Sequence, residues 1–218
     1  MNATSKKIIA IAVAVAVLSI SYYGSYLPLR KAQMFIATLQ GLQVTPPTSL
    51  NDLETRLSIP LDSPSPIGQE ELVRNTANSV LNFVQQSPDA TSTDELVSFM
   101  MKYYDPILSR GKGMSFGQDL YLVGAVNEIA FARTGQADFL SAAQQAYEEG
   151  EQLGPNRPQA LYGLFDVYRA EDDASDTVAI ANKILTNWPS DMTIQQALAQ
   201  FMIGNIESTS TKKNSSAK

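Results

Sequence analysis

The sequence predicts an all-α protein, with a single N-terminal transmembrane helix followed by an α-helical repeat (α-solenoid) domain. Three observations lead there. The run from Ile8 to Leu29 carries no charge over 22 residues. Beyond it, apolar side chains recur every three or four positions in one segment after another, the spacing of a helix face. No stretch after Leu29 combines the alternating Val, Ile and Thr of a strand with the Asn-Gly or Asp-Gly turn of a hairpin.

Composition narrows the functions open to such a chain. Of 218 residues, 16 are Lys or Arg and 22 are Asp or Glu, for a formal net charge of -6. No basic stripe marks the folded part, so no nucleic acid is expected as a partner, because neutralising phosphate takes clustered Lys and Arg. The chain has no Cys and no His. That removes disulfides, thiolate chemistry and Cys-type zinc sites. It also removes the commonest general base near neutral pH and a Ser-His-Asp triad built from this chain alone. No catalytic residue, metal site or cofactor is expected.

The first element lies behind Lys6 and Lys7. As a helix, Ile8 to Leu29 extends about 33 Å, matching a bilayer core of about 30 Å. The "AIAVAVAV" stretch alternates like a strand, but both sets of positions are apolar and leave no polar face. Tyr22, Tyr23 and Tyr26 cluster near the far end, where an interfacial aromatic belt belongs. A cleaved signal peptide and a buried soluble helix are the competing readings. Apolar residues run on to Leu29 without a clean Ala-x-Ala site, which favours an uncleaved signal anchor over residues 1–29. Lys6, Lys7 and the amino group slightly outweigh Arg30 and Lys31. The amino tail is therefore expected inside and the acidic domain outside, across the membrane.

Residues 30–66 are expected to form a juxtamembrane helix, with Ala32, Phe35, Ile36 and Leu39 on one face and a kink at Pro28, and then a linker. "VTPPTS" ends that helix. A short amphipathic helix follows, carrying Leu50, Leu53 and Leu57, and "LDSPSPIG" connects onward. Residues 67–206 are expected to be the helical repeat domain. Its first helix carries Leu72, Thr76, Val80, Phe83 and Val84 as a stripe. Thr93 reads as the cap of the next, with Asp94 and Glu95 in its first turn. Gly111 to Gly117 reads as a loop, which lacks the spacing and the Lys-Ser/Thr pair of a phosphate-binding loop despite Lys112. Two helices then split at Gly135, two more follow Pro158, and a last begins near Met192. Residues 207–218 have no apolar periodicity and are expected to be a disordered tail.

Pro155 and Pro189 stand 34 residues apart. With a unit starting at Pro158, Leu161, Leu164 and Tyr168 occupy the apolar positions of a first helix. Phe139, Ala143 and Tyr147 recur at comparable places of the second helix in the preceding unit. The spacing resembles tetratricopeptide-like helical repeats. Phe165 stands where that pattern has a small Gly, and Thr177 replaces the usual Ala. The order of membrane helix, "LPLRKAQMFIATLQ", "LETRLSIPLDSPSPIGQEELVRNTANSVL" and "LGPNRPQALYGL" also resembles the extracytoplasmic carboxy-terminal region of bacterial O-antigen ligase/polymerase-like membrane proteins. Those proteins carry many membrane helices and keep their catalytic groups on segments with no match here. The resemblance implies an accessory part without glycan transfer.

Stacked helical hairpins leave a concave surface lined by the first helix of each unit, and such surfaces bind peptides and proteins. The candidate partner-binding residues are therefore Gln159, Tyr162, Asp166 and Arg169 in the later unit, and Tyr121, Glu128 and Arg133 in the earlier one. Tyr and Arg are effective interface anchors. Tyr162 packed between helices and Arg169 paired with Asp166 or Glu171 is the plain structural alternative. The expected function is a membrane-anchored scaffold, held in the lipid bilayer by residues 8–29, that binds protein or peptide partners at the cell envelope. One alternative is a structural subunit of an envelope assembly that associates through Leu29 to Leu42. An enzyme would have to rest on Glu148, Glu149 and Glu151, which read as a solvated helix face.

Overall fold

The computed structural model describes residues 2–86 and 90–215. The described residues are helical, with no strand among them. The chain divides into two compact units, Met1–Phe83 with Asp94–Arg110 and Val84–Thr93 with Gly111–Lys218. The division falls inside the span 67–206 expected as one repeat domain.

In the amino-terminal unit, α1 (Ala3–Ser21) opens on Asn2, whose side chain accepts from the Ser5 amide at 2.9 Å. It runs through a π-helical turn, Tyr22–Tyr26, into α2 (Leu27–Val44), so that Ala3–Val44 is one helix of 42 residues. Its mean hydropathy reaches 2.0, and it is long and apolar enough to cross a membrane. The π turn has a local cause. Pro28 has no N–H, and its ring would press on the carbonyl of Gly24 in regular α geometry. Widening the turn lets the Leu27 amide reach back to the Tyr22 carbonyl and relieves the clash.

Helix α3 (Leu50–Leu61) is capped by Ser49, which accepts from the Asp52 amide. Its buried face is Leu53, Leu57 and Leu61, and α3 packs on α2. Polar fasteners hold this unit together. The ammonium of Lys31, buried on α2, donates to the carbonyls of Leu61 at 3.3 Å and Ser63 at 2.7 Å and to the Gln69 side chain. Those carbonyls lie at the end of α3, where helical partners run out. Arg56 joins Asp52 at 2.8 Å and the Thr45 carbonyl at 2.8 Å. Tyr103 of α5 donates to Asp62 at 3.0 Å. Helix α4 (Gln69–Gln86) buries the expected Leu72, Thr76, Val80 and Val84. Helix α5 (Ala90–Arg110) begins earlier than the capping pattern suggested. Thr93 lies inside it, fully buried, and the helix carries Pro106 through to Arg110.

The carboxy-terminal unit is a succession of helices, each packed on the next: α6 (Phe116–Thr134), α7 (Ala137–Leu153), α8 (Pro158–Ala170), α9 (Ala174–Asn187) and α10 (Met192–Ser215). Helix α6 also packs on α8. The breaks follow turn chemistry. Gly135 closes α6 at φ 71°, a conformation open to glycine, and its amide bonds the Phe131 carbonyl. Pro158 begins α8, where its missing N–H costs nothing. Asp173 caps α9 by accepting from the Asp176 amide at 2.9 Å. Asp191 accepts from the amides of Thr193 and Ile194 at the start of α10. Leu161, Leu164, Phe165, Val167, Ile180, Ala181 and Ile184 form the core with Tyr147. Burying each large apolar side chain stabilises by about 1.5–3 kcal/mol. Helix α10 runs to Ser215, past the point at 207 where a disordered tail was expected. Residues 216–218 of that tail lie outside the described residues.

Candidate functional site

The face shared by α6 and α8 is set by Tyr147 of α7. This side chain is only 1% exposed. A Cβ on Gly124 of α6 or on Gly163 of α8 would each come within 2.4 Å of its ring. The ring therefore fills a slot that exists because both positions lack a side chain. On α8, Gly163 is the position where a side chain would collide with that ring. Phe165 instead belongs to the buried core.

The Tyr147 hydroxyl donates to Glu128 of α6 at 2.8 Å. Burial, reinforced by the Glu128 charge, drives the phenol well above its ordinary pKa. Burial also raises the carboxyl of Glu128, opposed by the Tyr147 hydrogen bond and assisted by the charge of Asp166. Asp166 of α8 is raised by burial and drawn back by Arg169. Arg169 lies 3.2 Å from Asp166 and over the Phe165 ring at 5.2 Å. Glu128, Asp166 and Arg169 thus form one half-buried electrostatic cluster, and the pairing weighed from the sequence for Arg169 with Asp166 is present.

Tyr162 is not in that cluster. Its hydroxyl donates to Asp191, and its ring packs 6.2 Å from Trp188. The hydrogen bond to Asp191, aided by burial, pushes the phenol up to about 12 and holds the carboxyl of Asp191 below its usual range. Tyr162 therefore ties α8 to the α9–α10 connection. Arg133 is exposed in the last turn of α6, where a cation suits the helix end.

Tyr121 and Gln159 meet elsewhere on the α6/α8 face. They line a pocket of about 400 Å3 with Gln118 and Arg157, which the sequence analysis did not single out. A second groove, of about 370 Å3, lies along α7, α8 and α9 and includes Glu148, Glu151, Tyr168 and Lys183. Those glutamates are engaged rather than bare: Glu148 accepts from Gln144 at 2.9 Å, and Glu151 pairs with Lys183. Among the described residues, no three of Asp, Glu, His and Cys converge in a metal-holding group.

No family model, no curated protein and no solved structure matches the chain.

Proposed function

We propose that this chain is a membrane-anchored helical scaffold whose α6/α8 face binds protein or peptide partners at the cell envelope. The carrying observation is the convergence of Tyr121 and Gln159 in one pocket, on the same pair of helices that carries the cluster of Glu128, Asp166 and Arg169. An aromatic ring, carboxamides and a fixed ion pair supply the apolar wall and the directional polar groups that recognition uses. The α6–α7 and α8–α9 pairs are read as successive helical hairpins of a tetratricopeptide-like array. The packing of α6 on both α7 and α8 supports that reading. The role is non-catalytic. Residues 8–29, the apolar part of the helix Ala3–Val44, are read as the anchor, in a bacterial inner membrane with the helical domain extracytoplasmic; the length and hydropathy of that helix support an anchor. Confinement to a membrane raises the effective concentration of the face toward membrane partners.

A second reading has its own support. Leu29, Ile36 and Val44 are exposed apolar residues on α2, as a self-associating stalk of an envelope assembly requires. An accessory part in a surface-polysaccharide ligase or polymerase system is a special case of the scaffold.

Photoreactive side chains at Tyr121 and Gln159 of the full-length protein in cells, with controls at Gln145 of α7 and Asn182 of α9, test the proposal. Discrete crosslinks to an envelope protein from the first pair alone are expected. Equal labelling from all four sites, or no crosslink to another protein from Tyr121 and Gln159, would defeat it.

A further inference from the structure

The pocket on the α6/α8 face is lined by one cation, Arg157. A Cβ at Gly117 would lie 2.0 Å from the Arg157 Nη1, and one at Gly154 would lie 2.6 Å from its Cδ. Arg157 is exposed, and its side chain lies against the backbone of both glycines, with the guanidinium beside Gly117. Among the described residues no carboxylate pairs with this guanidinium, and no acid lines the pocket. That is a marked arrangement in a chain with 22 Asp and Glu. Arg56, Arg74, Arg110 and Arg169 all hold acidic partners. Around Arg157 stand two carboxamides, Gln118 and Gln159, and the partly exposed Tyr121.

The chemistry selects among anions. A guanidinium fork matches the two oxygens of a planar carboxylate. Phosphate carries more charge and would call for further cations, which the pocket lacks. A carboxamide both donates and accepts, so it pairs with a peptide amide. The volume of about 400 Å3 lies within the range of small-ligand sites, large enough for an acid group and the residue beside it.

We infer that this pocket binds a carboxylate borne by a peptide, with Arg157 taking both oxygens, Gln118 and Gln159 pairing with the adjoining peptide amide, and Tyr121 forming the apolar wall. This rests on the peptide-binding reading of the α6/α8 face and names what the partner presents. The carboxylate comes from a chain terminus or from an Asp or Glu side chain.

The test is a titration of the isotope-labelled full-length protein in detergent micelles, following the backbone amide resonances of Gly117 and Gln118. The probes are N-acetyl-alanyl-alanine, its carboxy-terminal amide, N-acetyl-aspartate methylamide and inorganic phosphate. A saturable shift is expected with one or both acids, and the tighter of them names the source. The amidated dipeptide should bind at least about tenfold more weakly, the weight of one charged hydrogen-bonding group. Arg157→Gln should weaken acid binding by about tenfold or more and Gln159→Ala by a smaller factor, with amides of α9 and α10 unmoved in both variants. Equal binding of acid and amide, phosphate binding as tight as the acids, unchanged affinity in Arg157→Gln, or no saturation by about 10 mM acid each overturns the inference. The two readings fail separately. Crosslinks from Tyr121 and Gln159 without acid binding would remove the carboxylate site alone, whereas acid binding without those crosslinks would remove the scaffold role.

Discussion

The amino-terminal unit buries a lysine and the carboxy-terminal unit buries a tyrosine, and the two side chains fix their helices by different physics. Lys31, 3% exposed, has three ammonium donors and meets two carbonyls and one carboxamide. Its fit is directional and rests on partners being present. Tyr147, 1% exposed, has one hydroxyl bond, and its ring is located by two side chains being absent, at Gly124 and Gly163. The first unit is therefore sensitive to a lost donor and the second to an added methyl group.

Substitutions can break that contrast. Gly163→Ala puts a methyl group into the Tyr147 ring and should cost about 3 kcal/mol, near the upper end of overpacking effects. Urea unfolding measures the loss, and amide hydrogen exchange should place it in α6, α7 and α8. Unchanged stability would mean that the ring has room to move aside. Lys31→Met retains a long apolar stem but strips the donors from the Leu61 and Ser63 carbonyls, for a loss of about 2 kcal/mol. Faster exchange confined to α2, α3 and the start of α4 is the expected signature. A neutral result would show that water replaces the ammonium.

Tyr147→Phe sharpens the comparison by keeping the ring and removing only the hydroxyl. It should cost about 1 kcal/mol, well below the Gly163→Ala effect, if sterics dominate in this unit. It should also raise the Glu128 carboxyl further, because the lost hydrogen bond is the influence that lowers it. The carboxyl carbon chemical shift of Glu128 across an acid titration reads this out. The smallest effect concerns Tyr162. Its folded-state pKa of about 12 lies above the ordinary 10. The stability it contributes is full below pH 10 and is lost as pH rises through 12. In Asp191→Asn its titration, followed by tyrosinate absorbance, should fall back toward 10.

What the sequence made legible follows the range of the interaction that sets it. Gly135 and Pro158 act within a turn, and the helix breaks they imply are where the structure has them. Thr93 shows the limit of the same logic. Thr-Asp-Glu has the residue types of a helix start, but the threonine side chain is fully buried three residues inside α5. The site was harder. Tyr121 and Gln159 were nominated from helix periodicity and do share a pocket, because both sit in the opening turns of neighbouring helices. Tyr162 was nominated by the same periodicity but is drawn away by Asp191, a partner 29 residues along the chain. Arg157 lies in the turn before α8, outside any helix periodicity, and Gly117 at the start of α6 comes beside its guanidinium only through tertiary packing. Gly117 looked like the end of a loop, and only tertiary contact shows what its missing side chain makes room for.

The widened turn at Tyr22–Tyr26 also sets an angle. A π turn takes one residue more than a matching α turn, and each residue of an α-helix advances the chain by about 100° around its axis. The stripe of α1 side chains pointing in any given direction is therefore offset from the stripe of α2 that carries Lys31 and Phe35. Deleting Gly24 while keeping Pro28 would let the helix run through with regular pitch and turn α1 by roughly a quarter of a revolution relative to that docked stripe. The same apolar residues would remain on α1, at nearly the same height along the helix, but with a different azimuth. In a chain where the apolar segment and the docked segment belong to one continuous helix, that single inserted residue sets the rotational phase between them.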